Sequence, residues 1–480
     1  MSAPYPWGVS IDGGGVPHTN HLRRPLPGNR VHFVAIGGVG MAALAELLLK
    51  LGYEISGSDL KSSRTVQRLV SLGVPVRVGP HLGSSAVGAD HVIVSAAVPA
   101  SNPEVDAAVA QGAEVLSRAE LLGRMLDAGR GVAVTGTHGK TTTASMLARA
   151  LDAAGFDPSF RIGGDLNDVG SGAGLGTSDL IVAEADEAFG SFLALHPELA
   201  LVTNVDLDHL EFYDDQDAID EAFIRFLEQR REGGTAVLCA DDIGVQRIAH
   251  RVSAPIVRYG TDGADLLLTP ETGAVAWRGR HIGTLRLQVP GRHNLLNAAG
   301  ALTAALVLGA EPEAALAGLR SFGGVQRRFT LRGEADGVLV VDDYAHNPQK
   351  VAATVSAARE AYPERRIVVL FQPHLYSRTL HLGEAFGSAF QGADVVIVTD
   401  VYGDREEPMP GVSGRIVSDA VSRQHPGDQV MYVPRLEEAA GFVAGFSQPG
   451  DLVLTLGAGD VTTAGPRILA LLGERDTSAS

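Results

Sequence analysis

Short apolar runs alternate with amphipathic stretches along nearly the whole chain. Val31-His32-Phe33-Val34-Ala35-Ile36 is one such run, and Met41 to Leu51 follows it with apolar residues at helical spacing. Runs this short, each followed by a helix-period segment, predict repeated strand–helix units and a parallel α/β architecture. The pattern places a strand over 31–36, a helix over 41–51 and strands over 53–57, 74–78 and 91–95. A second series has strands over 132–135, 180–184, 199–203 and 235–239, with helices over 144–154, 216–230 and 292–309. Residues 260–291, loose in Gly, Thr and Arg, read as a small β insertion. A third series has strands over 338–342, 366–371, 394–400 and 451–456 and helices over 348–361, 378–391 and 435–446. The fold class is therefore α/β with three domains. A Rossmann-like domain spans 29–130, a central P-loop ATPase-type domain 131–328 and a Rossmann-like domain 329–480, after a disordered lead-in over 1–28.

Composition narrows this picture. The formal net charge of −17 argues against nucleic acid or an anionic membrane as partner. A polyanionic ligand would need a locally positive pocket. One cysteine, Cys239, rules out a disulfide framework and a cysteine-built zinc site, and its place in Ala236-Val237-Leu238-Cys239 makes it a small core residue. No apolar run reaches transmembrane length, and residues 1–28 have no signal-peptide core, so a cytoplasmic protein is expected.

The strongest chemical signal is Thr135-Gly136-Thr137-His138-Gly139-Lys140-Thr141-Thr142-Thr143, set between an apolar strand and an Ala/Leu/Met-rich helix. Such a turn exposes backbone N–H groups at a helix start, which cradle phosphate. Lys140 suits the β/γ-phosphates and the Thr141 hydroxyl suits Mg²⁺. Val134 stands where the usual motif has its first glycine. The lysine count sharpens the reading. The chain has four lysines (Lys50, Lys61, Lys140, Lys350) against 35 arginines, and one of the four sits here, where a compact point charge fits phosphate better than a planar fork.

A second loop, Ile36-Gly37-Gly38-Val39-Gly40-Met41-Ala42-Ala43, also joins a strand to a helix, and Asp59 follows at the spacing of the dinucleotide fingerprint. Physically this is a pyrophosphate site. It does not distinguish NAD from a UDP-sugar. Two loops, one with Lys-Thr and one without, imply two phosphate-bearing ligands. Glu184, directly off an apolar strand, is the candidate to complete a Mg²⁺ shell with Thr141, while Asp186 and Glu187 read as solvated acids at a helix start. His209, after Leu201-Val202-Thr203-Asn204, is a candidate ligand for a second metal.

Taken together, Gly136 to Thr143, Ala183-Glu184-Ala185-Asp186-Glu187, Thr203 to His209, Gly291 to Ala298, Gly324 to Phe329 and Asp342 to Pro348 resemble the Mur ligases, ATP-dependent amide-forming enzymes of peptidoglycan precursor synthesis, from about residue 30 to about 470. The opening Gly-Gly-Val-Gly-Met, Asp342-Asp343-Tyr344-Ala345-His346 and Gln372 to Arg378 are most like the alanine-adding branch. Residues 141–349 contain no lysine, so the carbamylated lysine of several other branches has no counterpart. The resemblance implies ATP as co-substrate, two Mg²⁺ ions, UDP-N-acetylmuramate and L-alanine as partners, an acyl-phosphate intermediate, domain closure, and a monomer or weak homodimer. It implies that Lys140 holds the transferring phosphoryl group, that Thr141 and Glu184 bind one Mg²⁺ and that His209 serves the second. Gly136, Thr137, His138, Gly139 and Thr142 complete the phosphate loop. Asn294 and Asn297 would meet adenine or ribose, Arg328 would steady phosphates, and Asp343 would approach the nucleotide. Tyr344, His346 and Arg378 would take the amino acid, and Gly37, Gly38, Gly40, Met41, Ser58, Asp59 and His81 the UDP-sugar. Ala188-Phe189-Gly190, Asn347 and Leu375 depart from common family residues. Two other readings stand beside this one: a recycling ligase that joins a murein tripeptide to the same UDP-sugar, and an NAD-dependent oxidoreductase based on the first loop alone.

Overall fold

A computed structural model describes residues 21–95, 98–99, 101–167, 171–207, 212–253, 255–404, 406–424 and 429–478. His209 therefore lies outside the described residues, as do residues 1–20. The backbone forms three sheets. The first runs, edge to edge, Val76–Val78, Glu54–Asp59, Arg30–Val34, His91–Val94, Glu114–Ser117, all parallel. Chain order reverses on either side of Arg30–Val34, so a crevice opens at the carboxyl end of that strand, the place where such sheets bind ligands. The glycine loop follows it directly.

The second sheet has ten strands. Its centre is Arg130–Thr135, flanked by Leu199–Val202 and Leu180–Glu184, all parallel. These strands are buried on both faces, which is why each reads as an unbroken apolar run. The expected β insertion is present as Leu266–Thr269, Ala274–Trp277 and Arg280–Thr284, paired antiparallel at one edge. The third sheet runs Thr330–Ala335, Val338–Asp343, Asp451–Leu456, Arg366–Phe371, Val395–Val398, Gln429–Tyr432, with the first pair antiparallel and the rest parallel.

By compactness the chain divides in two: residues 1–287 with 295–323, holding the first two sheets, and residues 288–294 with 324–480, holding the third. Residues 21–28 correct the reading of the lead-in. Leu22 and Leu26 are buried, His21 N–H donates to the Thr177 carbonyl, and the Tyr53 hydroxyl donates to the Leu26 carbonyl, so this segment is packed. Cys239 is buried beside Tyr259, and burial pushes its thiol up to about 11, as a core residue requires. Among the described residues no helix is long and apolar enough to cross a membrane.

Candidate functional site

The lysine loop is built by two glycines. Gly136 has φ +127° and Gly139 φ +81°, in the left-handed range that side chains avoid. A Cβ on Gly139 would also lie 2.5 Å from Asn297 Oδ1. Gly139 caps helix Lys140–Ala153 with no side-chain hydrogen bond, and no acid stands in the first turn, so the helix start is available to an anion.

The loop is held from the side by the end of strand Leu199–Val202. Thr203 Oγ1 and Asn204 Nδ2 donate to the His138 carbonyl, at 2.6 and 3.0 Å, and His138 N–H donates to Asn204 Oδ1 at 2.7 Å. Thr137 Oγ1 donates to the Asp206 carbonyl and accepts from Asp206 N–H. Residues 203–206 thus fix the loop's shape. Thr142, half-buried, follows Thr141 on the helix.

Lys140 Nζ donates to the Gly136 carbonyl at 2.8 Å and to both Glu187 oxygens at 2.7 and 2.9 Å. Glu187 is fully buried, which corrects its reading as a solvated acid. Burial alone would lower the lysine's pKa. Glu187, Asp186 and Glu184 outweigh that and hold it above the ordinary value, so the ammonium stays charged. On the next strand end, Thr141 Oγ1 donates to Glu184 Oε1 at 3.1 Å, while Glu184 Oε2 accepts from Gly163 N–H at 2.6 Å. A hydroxyl and a carboxylate oxygen side by side are hard donors of the kind Mg²⁺ prefers.

The other glycine loop opens helix Val39–Lys50, whose N-cap, Gly38, makes no side-chain bond and whose first turn has no acid. Asp59 Oδ2 accepts from Gly37 N–H at 2.8 Å and so clamps the loop to the neighbouring strand. Ser58 Oγ donates to Glu104 Oε2 at 2.5 Å and lies 3.2 Å from His81 Nδ1, which joins these residues in one cluster. Met41 does not join them. Its side chain is 2% exposed and belongs to the core.

In the second compact unit, Tyr344, His346 and Arg378 gather with His374 and Tyr402, neither of which the sequence reading had assigned. The Tyr344 and His346 rings meet edge to face at 5.0 Å, the His346 and His374 rings lie 6.0 Å apart, and Arg378 Nη1 lies 3.1 Å from His374 Nδ1. Burial, with Lys350 and Arg378 adding, pushes His346 well below its ordinary value, so it is neutral. The Arg328 guanidinium lies over the Tyr344 ring at 5.1 Å. Asp343 accepts from Phe329 N–H at 2.7 Å and Ala345 N–H at 2.8 Å, so both its oxygens already tie down this unit's own backbone. Burial pushes its carboxyl up. Asn294 Nδ2 donates to the Pro290 carbonyl at 2.6 Å.

Family models match along the chain in the same order: the Mur ligase family catalytic domain over 30–130, the Mur ligase middle domain over 134–305 and the Mur ligase glutamate ligase domain over 327–459. The chain belongs to the Mur ligase family. Among curated relatives, this Mur ligase is similar to the UDP-N-acetylmuramate–L-alanine ligase of Kineococcus radiotolerans, 49% identical over 93% of this chain and 97% of that one. Among solved structures it is similar to the UDP-N-acetylmuramate–alanine ligase of Thermotoga maritima, with a TM-score of 0.77 and 29% identity over 94% of this chain and all of that one. It is also similar to a murein peptide ligase of Psychrobacter arcticus, with a TM-score of 0.68 and 25% identity over 93% and 99%. The expected α/β fold of three domains is the fold of this family.

Proposed function

We propose that this Mur ligase joins L-alanine to the carboxylate of UDP-N-acetylmuramate, with ATP converted to ADP and phosphate. The supporting observation is the pairing, within one compact unit, of a lysine loop beside an acidic strand end with a second, lysine-free glycine loop. The names of the relatives favour alanine over a tripeptide as acceptor.

A carboxylate is a poor acyl donor because its oxygen leaves badly. Transfer of the γ-phosphoryl group from ATP to the carboxylate gives an acyl phosphate. The neutral amine of alanine attacks its carbonyl, phosphate departs, and an amide remains. The protein's part is positioning and charge stabilisation. Lys140 would leave Glu187 and turn to the phosphoryl oxygens, a short rotation about a point charge. The N–H groups at the start of helix Lys140–Ala153 would take the remaining phosphate charge. Thr141 and Glu184 would hold one Mg²⁺, which supplies neutralisation of the phosphate oxygens when bound. His209 is proposed for a second ion from the sequence alone. Asn297 lies against the lysine loop, where it would meet the nucleotide. For the acceptor, the cluster of Tyr344, His346 and Arg378 is proposed, with neutral His346 suited to a neutral amine.

The test is orthophosphate release with ATP and Mg²⁺, omitting each substrate in turn. Release that requires UDP-N-acetylmuramate and L-alanine together is expected. Turnover with the murein tripeptide in place of alanine would favour the recycling reading, and absence of release with either acceptor would defeat the proposal. The oxidoreductase reading leaves Lys140 and Glu184 unused, and a flat nicotinamide fluorescence titration is expected.

A further inference from the structure

Between the first glycine loop and the end of strand Leu180–Glu184 sits a pair of cations that the scheme above does not use. Arg161 ends the short strand Ser159–Arg161 and is 4% exposed. Its Nη1 donates to the Glu184 backbone carbonyl at 3.3 Å. Its Nε, buried as well, has no hydrogen-bond partner among the described residues. Arg118, the first residue of helix Arg118–Asp127, approaches the same place. A Cβ on Gly40 would lie 2.5 Å from Arg118 Nη1 and 2.5 Å from Arg161 Nη2, so both guanidiniums converge on the first turn of helix Val39–Lys50. Gly40 is the residue that leaves them room.

Nothing in the described chain neutralises this pair at contact. The Glu184 and Asp186 carboxylates act on Arg161 only through their field, and neither arginine forms a salt bridge with a described residue. Two like charges brought together, one of them buried and the other half-buried, are costly unless an anion joins them. Here the uncapped start of helix Val39–Lys50 points the same way. A small pocket opens at this point, lined among others by Arg118, Arg161, Glu184, Asp186 and Ser191.

We propose that Arg161, together with Arg118, grips an oxyanion of the UDP-sugar and so fixes how far that ligand reaches toward the phosphoryl-transfer side. The inference rests on the function proposed above. Guanidinium forks fit both oxyanions the ligand carries, its diphosphate and its carboxylate. Because Arg161 is tied to the Glu184 carbonyl, whichever group it holds is set in register with the Thr141–Glu184 pair.

Arg161→Met removes the charge and keeps most of the length, and Arg161→Lys restores a charge. Kinetic constants for each substrate, and calorimetric affinities for UDP-N-acetylmuramate and UDP-N-acetylglucosamine, are the readouts. Arg161→Met is expected to raise KM and Kd for UDP-N-acetylmuramate by roughly 10- to 100-fold, the scale of a charge-assisted hydrogen bond, with KM for ATP changed less than about twofold and partial recovery in Arg161→Lys. Loss of affinity for UDP-N-acetylmuramate alone assigns the carboxylate, since UDP-N-acetylglucosamine lacks it. Equal loss for both assigns the diphosphate. Unchanged affinity for both overturns the proposal. Should Arg161→Met not fold, Arg118→Gln, on the better exposed of the two arginines, carries the same expectation, and wild-type affinity there is equally fatal. If the wild-type protein itself neither binds UDP-N-acetylmuramate nor releases phosphate, it is the proposed function that fails. If it does both and the variants match it, only the arginine grip fails.

Discussion

Lys140 and Glu187 show why a single side chain cannot be read alone. The motif announced the lysine, but nothing in the local pattern announced that the acid three residues beyond Glu184 would be fully buried and aimed back at it. Burial of Glu187 depends on how the segment after strand Leu180–Glu184 folds over, which is tertiary. Arg161 was missed for the same reason, although an arginine inside Ser159-Phe160-Arg161-Ile162 was a visible anomaly. The pairing changes what a lysine variant does. Lys140→Ala is expected to cut turnover on the order of 10²–10³-fold. It also strands a buried carboxylate, at a cost on the order of 3–5 kcal/mol. Adding Glu187→Gln should restore the melting temperature and leave turnover low. A double variant that regains activity in the phosphate-release assay would show that the lysine serves only the fold.

Helix and strand boundaries were legible wherever a buried strand met a long helix. Strands Leu180–Glu184, Arg366–Phe371 and Asp451–Leu456 and helix Pro348–Ala361 begin and end where the apolar pattern does. The pattern was weak where elements are short or half exposed. Strand Glu114–Ser117 and edge strand Gln429–Tyr432 carry few buried residues, and the expected helix 378–391 breaks into helix Tyr376–Leu382 and a 3₁₀ turn over Glu384–Ser388. Caps decide function as well as length. Ser117 forms a capping box with Glu120 and thereby sets the start of helix Arg118–Asp127, where Arg118 stands. Ser117→Ala should lower stability by about 1 kcal/mol in urea unfolding. Gly139→Ala should be harsher, since it forces a side chain into the left-handed range and against Asn297. A loss of about 1–2 kcal/mol is expected, along with weakened ATP binding by calorimetry.

Across the whole molecule, the proposal that the two glycine loops serve different ligands carries a thermodynamic signature. A ligand at 100 times its Kd stabilises the folded state by about 2.7 kcal/mol. ATP and UDP-N-acetylmuramate given together should therefore raise the melting temperature more than either alone, whereas a shared pocket would give no more than the larger single shift. Stability against acid has a different source. Burial alone would raise the Glu104 carboxyl, but hydrogen bonds from His32 and Ser58 outweigh it and hold it at about 2, below the ordinary 4.5. A depressed carboxyl stabilises fully above the unfolded value, and the contribution fades as pH falls toward about 2. The stability gap between wild type and Glu104→Gln should be full at neutral pH and narrow steadily below about 4.5, measured as urea midpoints along a pH series.

The bond between Lys140 and Glu187 carries one practical consequence. An amine must shed its proton before it can attack an electrophile, and this one is kept protonated by the acids around it. Acylating reagents should therefore label Lys50, Lys61 and Lys350 faster than Lys140. Covalent inhibitors that seek that lysine would find it a poorer nucleophile than the other lysines in the free protein.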